Sequence, residues 1–454
     1  MEQSSLIKPV LGGAYPTISH GQGVFLYDKE GKDYLDASSG AVTANIGHGV
    51  QEIIEAMVKQ AKQVSFVYRS QFTSDAAEKL AGKIAELTKG ELTYSFFVNS
   101  GSEATETALK IAIQHWQEKG KPKKQKIISR WMSYHGITMG ALSMSGHPIR
   151  RERFTPLLES YPSVSPPYCY RCPLQLDPHT CGMACASELE ASIRRIGSEN
   201  IAAFIAEPVI GAAGGAIVPP DGYFRKLKKI CEDNDILFIA DEVMTGFGRT
   251  GRMLASEYWD VEPDIVTFGK GMSGGYTPIA AAVMTKNVME PIMKGSKSII
   301  GGHTLSANPL SCAVSLAVLE YVERNELVEK SADRGNYLIR GLKKLAGKYS
   351  FIGDIRGRGL LIGIEFVQEK ETKVPFPKEA DVTNEIIELG MRNGILLYPA
   401  AAGLDGVTGA AIIISPPLTI TEEECAELLM RADITFGQFN ESIGKRPSQQ
   451  GSES

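Results

Sequence analysis

The chain has 454 residues, enough for two or three domains around an ample buried core. Hydrophobic residues make up 43% and charged residues 22%, the balance of an ordinary globular protein, and a formal charge of −5 leaves no basic footprint for nucleic acid or an anionic membrane. Met1 to Leu6 lack the basic and apolar regions of a signal peptide, and no apolar run is long enough to span a bilayer, so the expected location is cytoplasmic.

In chain order, residues 24–27 and 34–36 read as short strands separated by the turn at Gly31. From about residue 60 to 320, strand-like runs alternate with helical patterns, which predicts a mostly parallel sheet covered on both faces. The ligands of such sheets bind beyond the carboxyl ends of the strands. Four runs here end in unusual residues. Residues 94–98 lead into Asn99, Ser100, Gly101 and Ser102 and then a helix over 103–117, whose apolar residues Ala104, Ala108, Ile111, Ala112 and Trp116 recur at helical spacing. Such a turn suits a phosphate dianion, and equally a plain N-cap by Ser100 or Ser102. Residues 127–129 lead to Tyr134, either a cover for a flat cofactor or a loop anchor. Residues 203–206 end in Glu207, and 236–240 deliver Asp241 and Glu242. A fifth run, 265–268, stops at glycines around Lys270. An amine and a carboxylate on one sheet edge meet the needs of pyridoxal phosphate: a Schiff-base lysine and a partner for the pyridine nitrogen.

Two other patterns compete for attention. Cys169, Cys172, Cys181 and Cys185 have the spacing of a zinc site built on two short hairpins, with His179 as an alternative ligand, or are free thiols of an insertion loop. No metal is assigned to them. Gly246, Gly248 and Gly251 match the dinucleotide pattern G-x-G-x-x-G, which makes a nicotinamide dehydrogenase the competing enzyme class. The context opposes it, because Asp241 to Thr245 separate the strand from the first glycine and little room for a helix remains before Pro263.

A helix is predicted over 310–323, after which runs 360–366 and 411–414 alternate with amphipathic helices as in a smaller α+β domain. The expected division is a large domain of residues 60–320, a small domain from 1–59 and 321–440, and a disordered tail at 441–454.

The stretch from Ala240 to Gly251, continued from Pro263 to Lys270, resembles the cofactor-attachment signature of class III aminotransferases, fold-type I pyridoxal phosphate enzymes related to ornithine, 4-aminobutyrate and ω-amine transaminases. Similar segments run from Val24 to Leu418. The resemblance implies an internal Schiff base and proton shuttle at Lys270, a pyridinium partner in Asp241, and Val243 behind the ring. It further implies a phosphate cradle of Ser100, Gly101 and Ser102, a ring cover in Tyr134, and Glu207 among the cofactor contacts. Thr304 would reach the phosphate of a neighbouring subunit, implying a homodimer or a dimer of dimers with shared sites.

The departures bear on substrate. Relatives that handle glutamate or ornithine place an arginine where this chain has Ile413, and a gating glutamate where it has Ala212; Met244 replaces a glutamine that contacts the cofactor. An apolar side chain makes no bidentate contact with a carboxylate. The expected reaction is transfer from an ω-amino acid or primary amine to a small oxo acid such as pyruvate, with Arg69 as candidate cation for the oxo acid. A glutamate-using aminotransferase, or a lyase, decarboxylase or aminomutase on the same scaffold, is the alternative.

Overall fold

The computed structural model describes residues 5–90 and 92–444. Three short strands, β1 (Ile18–Gln22), β2 (Phe25–Asp28) and β3 (Asp33–Leu35), form an antiparallel meander. The central sheet is built from β4 (Leu92–Val98), β5 (Lys126–Arg130), β6 (Ser163–Val164), β7 (Ile201–Ala206), β8 (Leu237–Asp241), β9 (Ile265–Phe268) and β10 (Ala280–Thr285). Its order is β4-β10-β9-β8-β7-β5-β6, and β10 alone runs against the rest.

Every residue of β7, β8 and β9 is buried, as a parallel sheet covered on both faces requires. Alternation divides them between two cores: Phe204 and Phe238 face one apolar cluster with Phe224 and Trp259, whereas Ala203, Ile205 and Ile239 face another with Ile111 and Trp116. Each such aromatic or aliphatic side chain contributes about 1.5–3 kcal/mol. The sheet edge that carries the strand ends is therefore set on a rigid base.

A second, antiparallel sheet joins β11 (Ile352–Arg358), β12 (Leu361–Glu369), β13 (Val374–Pro375), β14 (Tyr398–Ala400) and β15 (Ala410–Ile414). One face (Ile362, Ile364, Phe366, Ile412, Ile414) packs with Val24, Leu35 and Ile53 from the start of the chain. The other (Leu361, Ala411, Ile413) faces the central-sheet core. A buried bolt joins this sheet to the loops before it: Arg356 donates to the carbonyls of Gly214 and Gly215 at 2.7 and 2.8 Å and to Glu365 at 2.8 Å, and Glu365 also binds Arg171 and the Tyr168 hydroxyl.

The helix expected over 310–323 spans Pro309–Arg324. The last helix, Glu422–Gly444, runs through residues 441–444, which the sequence reading assigned to a tail; residues 445–454 lie outside the described residues. No helix among the described residues is long and apolar enough to cross a membrane.

Candidate active site

Because β4, β5, β7, β8 and β9 point the same way, their carboxyl ends share one edge. A cavity of about 280 Å³ opens there. Its wall includes Gly101 and Ser102 after β4, Tyr134 and His135 after β5, Glu207 after β7, Asp241 and Val243 at β8, and Lys270 after β9. The sequence reading put all of these except His135 on a common edge, and the fold brings them into contact with one space.

Lys270 has φ of 44°, in the left-handed region that few non-glycine residues adopt. The strand stops at Gly269, and this turn aims the amine into the cavity instead of along the sheet. Burial draws the Lys270 ammonium down to about 8, while Asp241 and Glu207 pull upward and Arg150 pushes further down. Asp241 is 4% exposed and held on three sides. Its Oδ2 lies 2.7 Å from His135 Nδ1, and its Oδ1 accepts from the Thr267 hydroxyl at 3.0 Å and the Val243 amide at 3.1 Å. Glu207 is buried, which raises its carboxyl, and its Oε2 accepts from the Tyr134 amide at 3.4 Å.

At the other end the helix Gly101–Glu118 begins with a reciprocal cap: the Glu103 amide donates to Ser100 Oγ at 3.3 Å, and Glu103 Oε2 accepts from the Asn99 amide at 2.7 Å. The amides of Gly101 and Ser102 have no intrahelical acceptor and stand at the positive end of the dipole. A Cβ on Gly101 would sit 2.8 Å from Val243 Cγ1, so glycine there keeps the helix start against the Val243 side of the cavity. A carboxylate, an amine of lowered pKa and an anion-binding helix start around one cavity fit pyridoxal phosphate.

Other expected residues stand elsewhere. Ser100 is exposed and caps the helix without lining the cavity. Arg69 does not line it either: its guanidinium binds the Gly301 carbonyl and lies 4.9 Å from the Phe96 ring. Thr304 is exposed on the adjacent segment, where His303 Nδ1 comes 3.8 Å from Glu103 Oε1. Ile413 is fully buried in β15, opposite Gly363 and Tyr398. Of the two carboxylates after β8, Glu242 turns away and accepts from the amides of Ala255 and Ser256 at 3.1 and 2.8 Å.

Sequence reasoning missed His135, Thr267, Arg150 and Tyr398. His135 adjoins Tyr134 and Thr267 lies in the run before Lys270, so the strand-end argument reached their neighbourhood. Arg150, in the short helix Pro148–Arg151, and Tyr398, at the start of β14, are brought to the cavity only by the tertiary fold.

The cysteines do not form the expected hairpins. Residues Cys169–Arg171 make one turn of 3-10 helix, and Cys185 lies in the first turn of the helix Ala184–Ile196. All four line a separate cavity of about 240 Å³ with His179, and all are free thiols. Burial and the neighbouring thiols raise Cys169 and Cys185, the latter to about 11. No group of three or more metal-ligating side chains stands at metal-holding geometry among the described residues.

The glycine pattern at 246–251 serves packing. Arg249 is buried and donates to the carbonyls of Leu360 and Pro416 at 3.0 and 2.6 Å and to Ser39 Oγ at 3.2 Å. Gly251 has φ of 84°, and a Cβ there would sit 2.9 Å from that of Ala332. Only the short turn Ala255–Trp259 follows, where a dinucleotide site needs a long helix.

Known proteins resemble this chain along nearly its whole length. The chain is 52% identical over 442 residues to the uncharacterized aminotransferase YodT of Bacillus subtilis, covering 97% of this chain and 99% of that one. It is 34% identical to the putrescine–pyruvate aminotransferase of Pseudomonas aeruginosa, covering 91% and 89%. A crystal structure of an amine transaminase from an uncultivated Pseudomonas species, in a PLP-bound form, superposes with a TM-score of 0.90 at 33% identity, covering 96% and 99%. Residues 13–433 match the aminotransferase class-III family, whose PLP-dependent, fold-type I architecture the central sheet shares, and the chain belongs to that family.

Proposed function

We propose that this aminotransferase moves an amino group from an ω-amino acid or primary amine to a small 2-oxo acid such as pyruvate, using pyridoxal phosphate in the Lys270 cavity. The observation that carries the reading is the joint exposure of Lys270 and Asp241 to a cavity whose wall has the methyl of Ala212 where a gating glutamate is expected, with Ile413 sealed in the core. When bound, the cofactor supplies an electron sink that acidifies the amine-bearing carbon.

The chain's own groups do the rest. Lys270 Nζ would hold the cofactor and serve as the base that takes and returns the proton of the amine-bearing carbon. Asp241 keeps a proton on the pyridine nitrogen, and His135 and Thr267 fix the carboxylate's orientation for that task. The Gly101 and Ser102 amides would take the phosphate, and Val243 and Tyr134, which line the same cavity, would hold the ring. Thr304 completes the phosphate site of a second copy. Exposed Phe66, Tyr68, Phe72, Ile300 and Leu305 on the segments around Arg69 and Thr304 support such a dimer. The large and small domains divide near residues 60 and 320; the core that unites Val24, Leu35 and Ile53 with Ile364 and Phe436 supports a small domain drawn from both chain ends.

The test is the cofactor's absorbance in the absence of any acceptor, with β-alanine, taurine, 4-aminobutyrate, a primary aryl-alkyl amine and glutamate added in turn. Conversion to the pyridoxamine form by an ω-amine and not by glutamate is expected. Conversion by glutamate alone refutes the argument from Ile413 and Ala212.

A further inference from the structure

Next to the Lys270 cavity lies a second one, of about 400 Å³. Three residues wall both: Arg150, Ala212 and Tyr398. Each cavity alone is near the lower end of the range of about 300–1,000 Å³ for small-molecule sites. The cofactor takes the space between Asp241 and the helix start at Gly101, so the body of a substrate must lie toward the three shared residues and beyond them.

The shared wall has a distinct chemistry. Ala212 offers only a methyl, and the far cavity continues with Ala400, Ala401 and Gly409, alongside Ile149, Phe376, Lys378 and Asp381. Tyr398 adds a ring wall. Among the described residues Arg150 supplies the one guanidinium lining the Lys270 cavity, 4.7 Å from the Tyr134 ring centre, and no carboxylate there pairs with it. By contrast, two arginines deeper in the fold are spent: Arg249 holds three oxygens, and Arg356 forms the bolt to Glu365. A guanidinium stacked on an aromatic ring, with its donors still free, is well suited to a carboxylate.

We infer that the two cavities are one elongated substrate site with Arg150 at its waist, and that it takes ω-amino acids whose carboxylate is several methylenes from the amine. The amine lies at Lys270, the chain crosses Ala212, and the carboxylate meets Arg150. This rests on the aminotransferase reading above and names its substrate class. Arg69, the cation expected for the oxo acid, is engaged with Gly301 outside the cavity and takes no part in this contact.

The experiment runs the holoenzyme half-reaction with β-alanine, 4-aminobutyrate, 5-aminopentanoate and 6-aminohexanoate, each paired with the n-alkylamine of equal length. The wild type should show a KM that falls along the amino acid series, with 6-aminohexanoate at least about tenfold below hexylamine. One charge-assisted contact is worth about 1.5–3 kcal/mol. Arg150→Ala should therefore shrink the hexylamine-to-aminohexanoate KM ratio by about 10- to 100-fold with little change in the kcat ratio, and Arg150→Lys should restore part of it. Ala212→Phe should discriminate against 6-aminohexanoate relative to β-alanine. Equal losses for charged and uncharged donors in Arg150→Ala, or an unchanged ratio, overturn the inference. Calorimetric binding of hexanoate, which has no amine to transfer, gives an activity-independent readout: Arg150→Ala should weaken it by the same factor. If the wild type binds hexanoate through Arg150 yet converts no amine, the functional proposal fails and the anion site stands. If amines convert and hexanoate binding ignores Arg150, the reverse holds.

Discussion

Replacing Asp241 with asparagine keeps the side chain's shape and removes its charge, which separates packing from chemistry. In the structure Oδ1 accepts from Val243 and Thr267 while Oδ2 faces His135 Nδ1 at 2.7 Å, and His135 Nε2 is buried with no hydrogen-bond partner. If the asparagine oxygen keeps the first two bonds, its amide nitrogen faces Nδ1, and the ring proton must move to Nε2, where nothing accepts it. One buried N–H left without a partner costs about 1–3 kcal/mol. Thermal unfolding of the cofactor-free protein should accordingly shift down by a few degrees. Asp241→Ala should shift it further, because all three donors then lose their acceptor. The half-reaction should fall at least about 100-fold in Asp241→Asn, close to 2.7 kcal/mol at the barrier, since a neutral amide cannot hold the pyridine nitrogen protonated. Stopped-flow absorbance with a saturating ω-amine reads this directly. A half-reaction within threefold of wild type would remove Asp241 from the chemistry. An alanine variant more stable than the asparagine variant would refute the reasoning about the His135 proton.

Lys270→Ala should abolish both turnover and the absorbance of the covalently held cofactor, and repeated turnover by that variant would contradict its assignment. A Lys270 ammonium lowered to about 8 leaves about one amine in ten neutral at pH 7, against about one in three thousand at 10.5. Only the neutral amine attacks, so cofactor uptake by the cofactor-free protein should climb about tenfold per pH unit and level off above about pH 8; a climb continuing to pH 10 would show an unshifted lysine. Arg249→Ala should cost roughly 3–5 kcal/mol in unfolding experiments, because it strands the buried carbonyls of Leu360 and Pro416, and a loss under 1 kcal/mol would show those groups re-solvated. Burial alone would raise the Glu365 carboxyl, but Arg356, Tyr168 and Arg171 hold it below its ordinary value, so its contribution is present at neutral pH and lost as acid protonates it. Glu365→Gln should thus be destabilised at pH 7, with the gap to wild type closing below about pH 4; a gap independent of pH would assign the cost to shape instead of charge.

What the sequence disclosed and what it hid follow from range. The strand ends at Asn99, Glu207, Asp241 and Lys270 are local features: a β-branched run, then glycine or a carboxylate, read within ten residues. Their convergence followed from one topological rule, that parallel strands share a carboxyl edge, and the cavity at Lys270 is lined by Glu207, Asp241 and Lys270 together with Gly101 and Ser102, just beyond Asn99. Arg150 and Tyr398 carry no such signal. Arg150 sits in a four-residue helix and Tyr398 opens β14, both of ordinary composition, and their meeting across Ala212 depends on how the second sheet packs on the first, through the shared core of Leu361 and Ile413 and the Arg356 bolt.

The same range argument explains why a short pattern can mislead. The glycines at 246–251 match a dinucleotide fingerprint in spacing, yet Gly251 is required by Ala332 and Arg249 by Leu360 and Pro416, residues 81 to 167 positions away. Glycine spacing reports only that backbones come close. What comes close, a pyrophosphate or another part of the chain, is settled by the element that follows, and here a single 3-10 turn leaves no helix dipole for a phosphate. The helix beginning at Gly101 instead offers unpaired first-turn amides and the dipole of a long helix, which would serve the phosphate end of this site. Swapping the chemistry between these two glycine sites is therefore a discriminating perturbation: Gly101→Ala should raise the dissociation constant for pyridoxal phosphate, because its Cβ would press on Val243, whereas Gly251→Ala should lower thermal stability with the affinity of the folded fraction retained. If Gly251→Ala instead weakened cofactor binding at unchanged stability, the assignment of that loop to packing would be wrong.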